Sequence, residues 1–354
     1  MTVVQGWRRC IRTLLVAVVV LAALPVHTSF AQSSAATPEK SGKTNVFDSI
    51  FGLKRDTKDG GWLFAASRED GEAGVYFAIS KDGYQWTFVN DAKPVARRTE
   101  KDELMGDPFL QRAPDGSVRM VWTWSKGGVP AGIGYSSSFD LVHWVQHRKL
   151  ALTASIPGAL TSRAPAMYYD AAKKDWVILW TSSVLPNATA SPEDHIYATT
   201  TTDFKKFAPA KVFFDPGYSV ADATLVNSGT LAQRYCLLFQ DERTSPLDER
   251  IHMATGPSLE GPWQVSSGAI SDAWADAPAA IPVTGGLLVY YHHAHDAGDV
   301  YGAAFTADME HWTDTSIKTM FPGGMRHGSF LPISDDEYQM LKDYYFRVTN
   351  GLEK

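Results

Sequence analysis

Cysteine is almost missing from this 354-residue chain, and internal disulfides with it. Of its two cysteines, Cys10 lies in an N-terminal leader, which leaves Cys236 alone in the mature chain. About 320 residues must therefore be held together by their own core, a length that suffices. An excess of basic charge is missing too. Lys and Arg number 33 against 39 Asp and Glu, giving −6, and residues 1–31 carry three Arg and no acid, so their removal gives −9. Such a chain is a poor partner for nucleic acid. Long apolar runs are absent but for Leu14 to Val26, 13 residues, short of the roughly 18–20 that span a bilayer. With Arg8, Arg9 and Arg12 before it and Ser29-Phe30-Ala31 after it, this run reads as a signal peptide over 1–31. A flexible Ser- and Ala-rich leader follows over 32–45. The expected destination is secreted or periplasmic, with no membrane contact after cleavage.

Helical periodicity is scarce between residues 46 and 333, which argues against alternating strands and helices. What recurs there is a short alternating strand, a turn, and an aromatic opening another strand. The aromatics are Trp86, Trp144, Phe207, Trp263 and Trp312, at the spacing of about 50–60 residues that marks propeller blades. Each unit is preceded by an apolar strand: Trp62–Ala66, Arg119–Trp124, Trp176–Thr181, Tyr235–Phe239 and Leu287–Tyr291. Innermost strands are expected at Asp107–Gln111, Ala164–Tyr169, Asp222–Asn227 and Ala277–Val283, with none upstream of the first unit. Gly328 to Ile333 is a strand with no blade after it. The economical reading is an all-β, five-bladed propeller over 46–333 whose last strand completes blade 1 and closes the ring. Ser334-Asp-Asp-Glu337 then reads as a capping box for a short helix within 334–354.

Residues opening innermost strands converge at one channel mouth. Three of these openings carry a carboxylate in matching places: Asp107 in Gly-Asp-Pro-Phe, Asp222 in Val-Ala-Asp-Ala-Thr and Asp276 in Trp-Ala-Asp-Ala-Pro. Arg326 and His327 open the fifth. Carboxylates gathered from separate blades repel, so at least one should have a raised pKa. Hydrolysis of a glycosidic bond needs a carboxylic acid for the leaving oxygen and a carboxylate for water or carbon. Asp241-Glu242-Arg243 follows a buried strand and suits either an ion-pair network or sugar contact. Trp124 and Trp274 lie near the carboxylates in sequence and suit a sugar platform. His292, His293 and His295 lack the further spaced ligands of a metal site.

Met105-Gly-Asp-Pro-Phe109 with Met120-Val-Trp-Thr123, Phe213-Phe-Asp-Pro-Gly-Tyr218 through Asp222-Ala-Thr224, and Met325-Arg-His-Gly328 together resemble the active-site segments of family 43 glycoside hydrolases. The resemblance runs over roughly residues 60–333. It implies an inverting mechanism on arabinose-, xylose- or galactose-containing oligo- or polysaccharides, with Asp107 as general base, Asp222 as orienting group and Asp276 in the general-acid position. His327 would sit in the channel. No cofactor is implied, although the channel of such a protein has room for a calcium ion.

Two departures stand out. Relatives usually have Glu-Gly-Pro where this chain has Asp276-Ala-Pro, which draws the acid back by about 1.5 Å. They commonly have Trp-Ala-Pro-Glu where this chain has Arg163-Ala-Pro-Ala166, so a carboxylate is lost and Arg163 is gained. Three readings stand: a hydrolase whose substrate differs, as by carrying an acidic group; a carbohydrate-binding propeller that has lost acid catalysis; or a phosphate-using enzyme with Arg163 and Arg326 as its anion site.

Overall fold

A computed structural model describes residues 60–68, 74–185, 187, 189, 191–226, 235–293 and 300–352. The signal peptide and flexible leader expected over 1–31 and 32–45, and residues Asn227 and His295, lie outside the described residues.

Five antiparallel sheets follow one another along the chain. Blade 1 runs from Met325–Ile333 through Gly61–Arg68 and Gly74–Ser80 to Thr87–Phe88. Its innermost strand thus comes from the C-terminal end of the propeller, with Leu63 paired to Leu331 and Phe64 to Phe330. This is the ring closure expected from the unpartnered strand at 328–333, and it leaves no open edge at the seam. The other innermost strands are Glu103–Arg112 in blade 2, Arg163–Asp170 in blade 3, Val220–Val226 in blade 4 and Ala275–Val283 in blade 5.

The repeat in the sequence has a physical cause in the turn before each outer strand. In blades 1, 2, 3 and 5 a Ser or Thr is followed two residues later by Asp, as Ser80/Asp82, Ser138/Asp140, Thr201/Asp203 and Thr306/Asp308. The Asp carboxylate accepts two successive backbone N–H groups, from Tyr84 and Gln85 in blade 1 and from Val142 and His143 in blade 2. The Ser or Thr oxygen accepts the N–H of the residue that turns left-handed: Gly83, Leu141, Phe204 or Met309. Local side-chain bonds of this kind specify the turn before any long-range contact exists. Blade 4 lacks the Asp and turns instead at Gly261, with φ +79°.

Leu, Val, Ile and aromatic side chains alternate inward and fill the spaces between blades. Trp86 stacks on Phe321 at 5.3 Å and is buried, while Trp144, Trp263 and Trp312 pack at the edges of the core. The repeat tryptophans are therefore structural. Cys236 is fully buried and forms no disulfide. The helix Asp335–Thr349 opens with the expected capping box: the Ser334 hydroxyl accepts the Glu337 N–H, and the Glu337 carboxylate accepts the Ser334 N–H. Leu341 and Tyr345 bury its inner face against blades 1 and 2.

Candidate active site

Every innermost strand carries an irregularity in its pairing, at Gly106/Phe109, opposite Leu179/Thr181, at Ala221/Thr224, at Asp276/Ala279 and opposite Ala66/Ser67. At each one a single non-glycine residue has positive φ: Asp107 (48°), Ala164 (48°), Asp222 (53°), Ala277 (48°) and His327 (36°). One left-handed residue per blade costs of order 1–3 kcal/mol each, and bulges of this kind re-aim a side chain. Pro108, Pro165 and Pro278 fall directly after three of these residues, where the ladder asks for no N–H.

This register corrects the sequence reading in two ways. Asp107 does not open its strand; it is the fifth residue of Glu103–Arg112. Asp276 is not the counterpart of Asp107 and Asp222, because Ala277 holds the left-handed position in blade 5. Asp276 stands one residue earlier, level with Gly106, Arg163, Ala221 and Arg326. The aligned prolines carried this signal in the sequence.

The three carboxylates still meet, around His327. Its Nδ1 lies 2.8 Å from Asp107 Oδ1 and 4.0 Å from Asp222 Oδ2, and its Nε2 lies 3.2 Å from Asp276 Oδ1. Asp107 also accepts the Thr123 hydroxyl and the Ala164 N–H. Asp276 Oδ1 accepts His292 Nδ1 at 2.9 Å, and His292 is fully buried. Burial pushes the Asp107 carboxyl up, but the His327 charge and the bonds from His327 and Thr123 outweigh it and hold the group at about 2. Burial likewise opposes ionisation of Asp276, and His327 with His292 overcomes it, holding that carboxyl far below the usual range. Asp222 is the one raised, chiefly by burial, with Asp276 and Asp107 adding to the effect. The imidazole of His327 loses stability as a cation through burial, yet Asp276 and Asp107 raise its pKa well above the ordinary value.

Arg163 lies beside this group and has three carboxylate partners. Its Nη1 reaches Asp222 Oδ1 at 3.1 Å, and its Nη2 reaches both Asp194 Oδ2 and Glu242 Oε1 at 2.7 Å. An incoming phosphate or acidic sugar would have to displace one of them. Sequence reasoning did not single out Asp194, which sits in a polar stretch; the demand of an inward Arg for counter-charge was the only clue. Of the Asp241-Glu242-Arg243 run, only Glu242 turns to Arg163. Asp241 is buried and holds Arg243 at 2.6–3.0 Å, and Arg243 lies 4.0 Å over the Tyr218 ring. That half of the run is an ion-pair network.

The tryptophans divide. Trp274, 39% exposed, stands two residues before Asp276 at the mouth. Trp124 does not line the channel; it belongs to a neighbouring cleft of about 340 Å³ with Glu103, His147 and Lys149, whose ammonium lies 4.1 Å over the indole. The Thr123 hydroxyl meets Asp107 and the Ala164 N–H, so its neighbour along the strand points to the other face of the blade. The backbone carbonyl of Arg326 accepts a bond from Ser67.

The channel below the carboxylates, lined by Phe109, Ala164, Thr224 and Pro278 among others, encloses about 40 Å³. That is room for water and not for a sugar. Asp276, His292 and His327 place ligand atoms within 4.8 Å of one another. Two imidazoles and one carboxylate do not make the oxygen shell that calcium requires.

The five-bladed propeller thus brings carboxylates from three blades together at one channel mouth. The model of a probable glycosyl hydrolase domain related to family 43 matches residues 61–339, and the chain belongs to that family. Membership supports glycosidase activity. Curated proteins offer no match. Among solved structures, the fold is shared with a family 43 β-1,3-galactosidase solved with galactodeoxynojirimycin (14% identity over 75% of this chain and 92% of that one, TM-score 0.52). It is also shared with a family 43 protein retrieved from a capybara gut metagenome (11%, 78% and 54%, 0.55). A thermostable family 43 glycoside hydrolase is similar as well (16%, 64% and 79%, 0.50).

Proposed function

We propose that the mature chain is an exported, inverting glycoside hydrolase acting on arabinose-, xylose- or galactose-containing glycans. The observation that carries the reading is the convergence of Asp107, Asp222 and Asp276 on His327. Asp107 is the base: it is ionised at neutral pH and fixed by Thr123 and Ala164. Asp222 orients and tunes, tied to Arg163 and to the Ala277 N–H. His327 touches Asp107 with one ring nitrogen and Asp276 with the other, so the two carboxylates stand on opposite edges of one imidazole. The apolar run with basic flank at 1–31 supports export, and no described helix is long and apolar enough to cross a membrane. Galactosidase among the structural neighbours supports the sugar class.

A second reading, a glycan-binding propeller without turnover, is favoured by one fact: Asp276 is clamped ionised by two histidines and has no proton to give. Incubating the mature protein with arabinan, galactan, xylan and the matching aryl glycosides separates the two. Release of a monosaccharide or short oligosaccharide from one of them is the expected result and names the sugar. Binding without release from any substrate would leave the non-catalytic reading.

A further inference from the structure

If the site hydrolyses glycosides, something must protonate the departing oxygen, and the carboxyls differ in how far their partners commit them. Asp107 accepts three hydrogen-bond donors, Asp276 accepts two imidazoles, and Asp222 accepts Arg163 and the Ala277 N–H. Glu242 has one cationic partner, Arg163, shares that nitrogen with Asp194, and hydrogen-bonds the Asp194 carboxylate, which requires its proton. One guanidinium thus faces three carboxylates, leaving two surplus negative charges in a largely buried pocket. A proton relieves that repulsion most readily on the least committed and most exposed of the three. That group is Glu242, whose side chain is 23% exposed against 15% for Asp194 and 3% for Asp222. Glu242 follows the second strand of blade 4, Tyr235–Asp241, at the same end of the sheet as the bulge carrying Asp222.

We propose that Glu242, and not Asp276, is the general acid of this site. As the C1–O bond breaks, the Glu242 proton passes to the leaving oxygen, while water bonds to C1 and gives its proton to Asp107. One water is consumed, and solvent returns the proton from Asp107 to Glu242 between turnovers. Asp276 then serves as the fixed anion that keeps His327 charged and aligned. Burial, Asp194 and Asp222 push the Glu242 carboxyl up to about 7 against the pull of Arg163, so a working fraction is protonated at neutral pH. The proposal rests on the hydrolase reading.

The test compares wild type with Glu242→Gln, Asp276→Asn and Asp107→Asn on aryl glycosides of the released sugar, from dinitrophenyl, whose departure needs no proton, to phenyl. Glu242→Gln should keep dinitrophenyl turnover within about threefold and lose about a hundredfold or more on the phenyl glycoside. The fall of wild-type activity above pH 7 should be missing from its dinitrophenyl profile. Glu242→Asp should lie between the two, which guards against a misfolded glutamine variant. Equal loss on both leaving groups, no loss on either, or a leaving-group-selective loss in Asp276→Asn would overturn the assignment. Full activity in Asp107→Asn would instead strike Asp107 as the base and leave the hydrolase reading standing, and a wild type inert on every aryl glycoside would remove that reading and the proposal together.

Discussion

Replacing Asp107 with asparagine is expected to lower kcat by roughly a thousandfold on the released sugar's glycoside, with KM little changed. The side chain keeps its shape and can still accept the Thr123 hydroxyl and Ala164 N–H. It cannot take a proton from water. It also removes one of the two anions that hold His327 charged, so the imidazole should titrate at lower pH than in the wild type. The paired readout is kinetics for the base and proton NMR for the histidine. Retention of more than a tenth of the wild-type kcat would mean that Asp107 is an electrostatic support and not the base.

Replacing Arg163 with methionine is expected to destabilise the propeller by about 3–5 kcal/mol at neutral pH. The chain length is kept, but Asp194, Asp222 and Glu242 lose their shared cation while remaining largely buried. Their folded-state pKa values should then rise above the unfolded ones. A carboxyl raised in this way stabilises the fold below its unfolded pKa, and that contribution disappears as pH climbs through the folded value. The variant should therefore approach wild-type stability near pH 4.5 and fall away toward pH 8. Denaturant midpoints across that range check both the size and the sign. A loss that is constant with pH would place the role of Arg163 in packing.

The blade count, the closing strand and the terminal helix were legible because each rests on local chemistry. The Ser/Thr-x-Asp turns and the Ser334–Glu337 capping box fix backbone N–H groups within four residues of the acceptor. The strand at 328–333 needed a partner, and only the first blade lacked one. The carboxylates were legible as a set but not in register. Whether a strand bulges at Asp276 or at Ala277 is settled by pairing with the neighbouring strand, which periodicity alone does not report. The Arg163–Asp194–Glu242 cluster joins residues 79 positions apart, from two strands of blade 3 and the residue after a strand of blade 4, so no window of sequence contains it. The cleft around Trp124 was not legible for a simpler reason. One step along a strand reverses the face, and closeness in sequence to Asp107 says nothing of which face that is.

Water activated by Asp107 is expected to displace the leaving group in a single step. The anomeric configuration of the first sugar released, followed by proton NMR before mutarotation, tests this most directly. The inverted anomer is the expected product. A retained configuration would contradict it, because it requires a covalent glycosyl–enzyme intermediate and makes the attacking group a carboxylate.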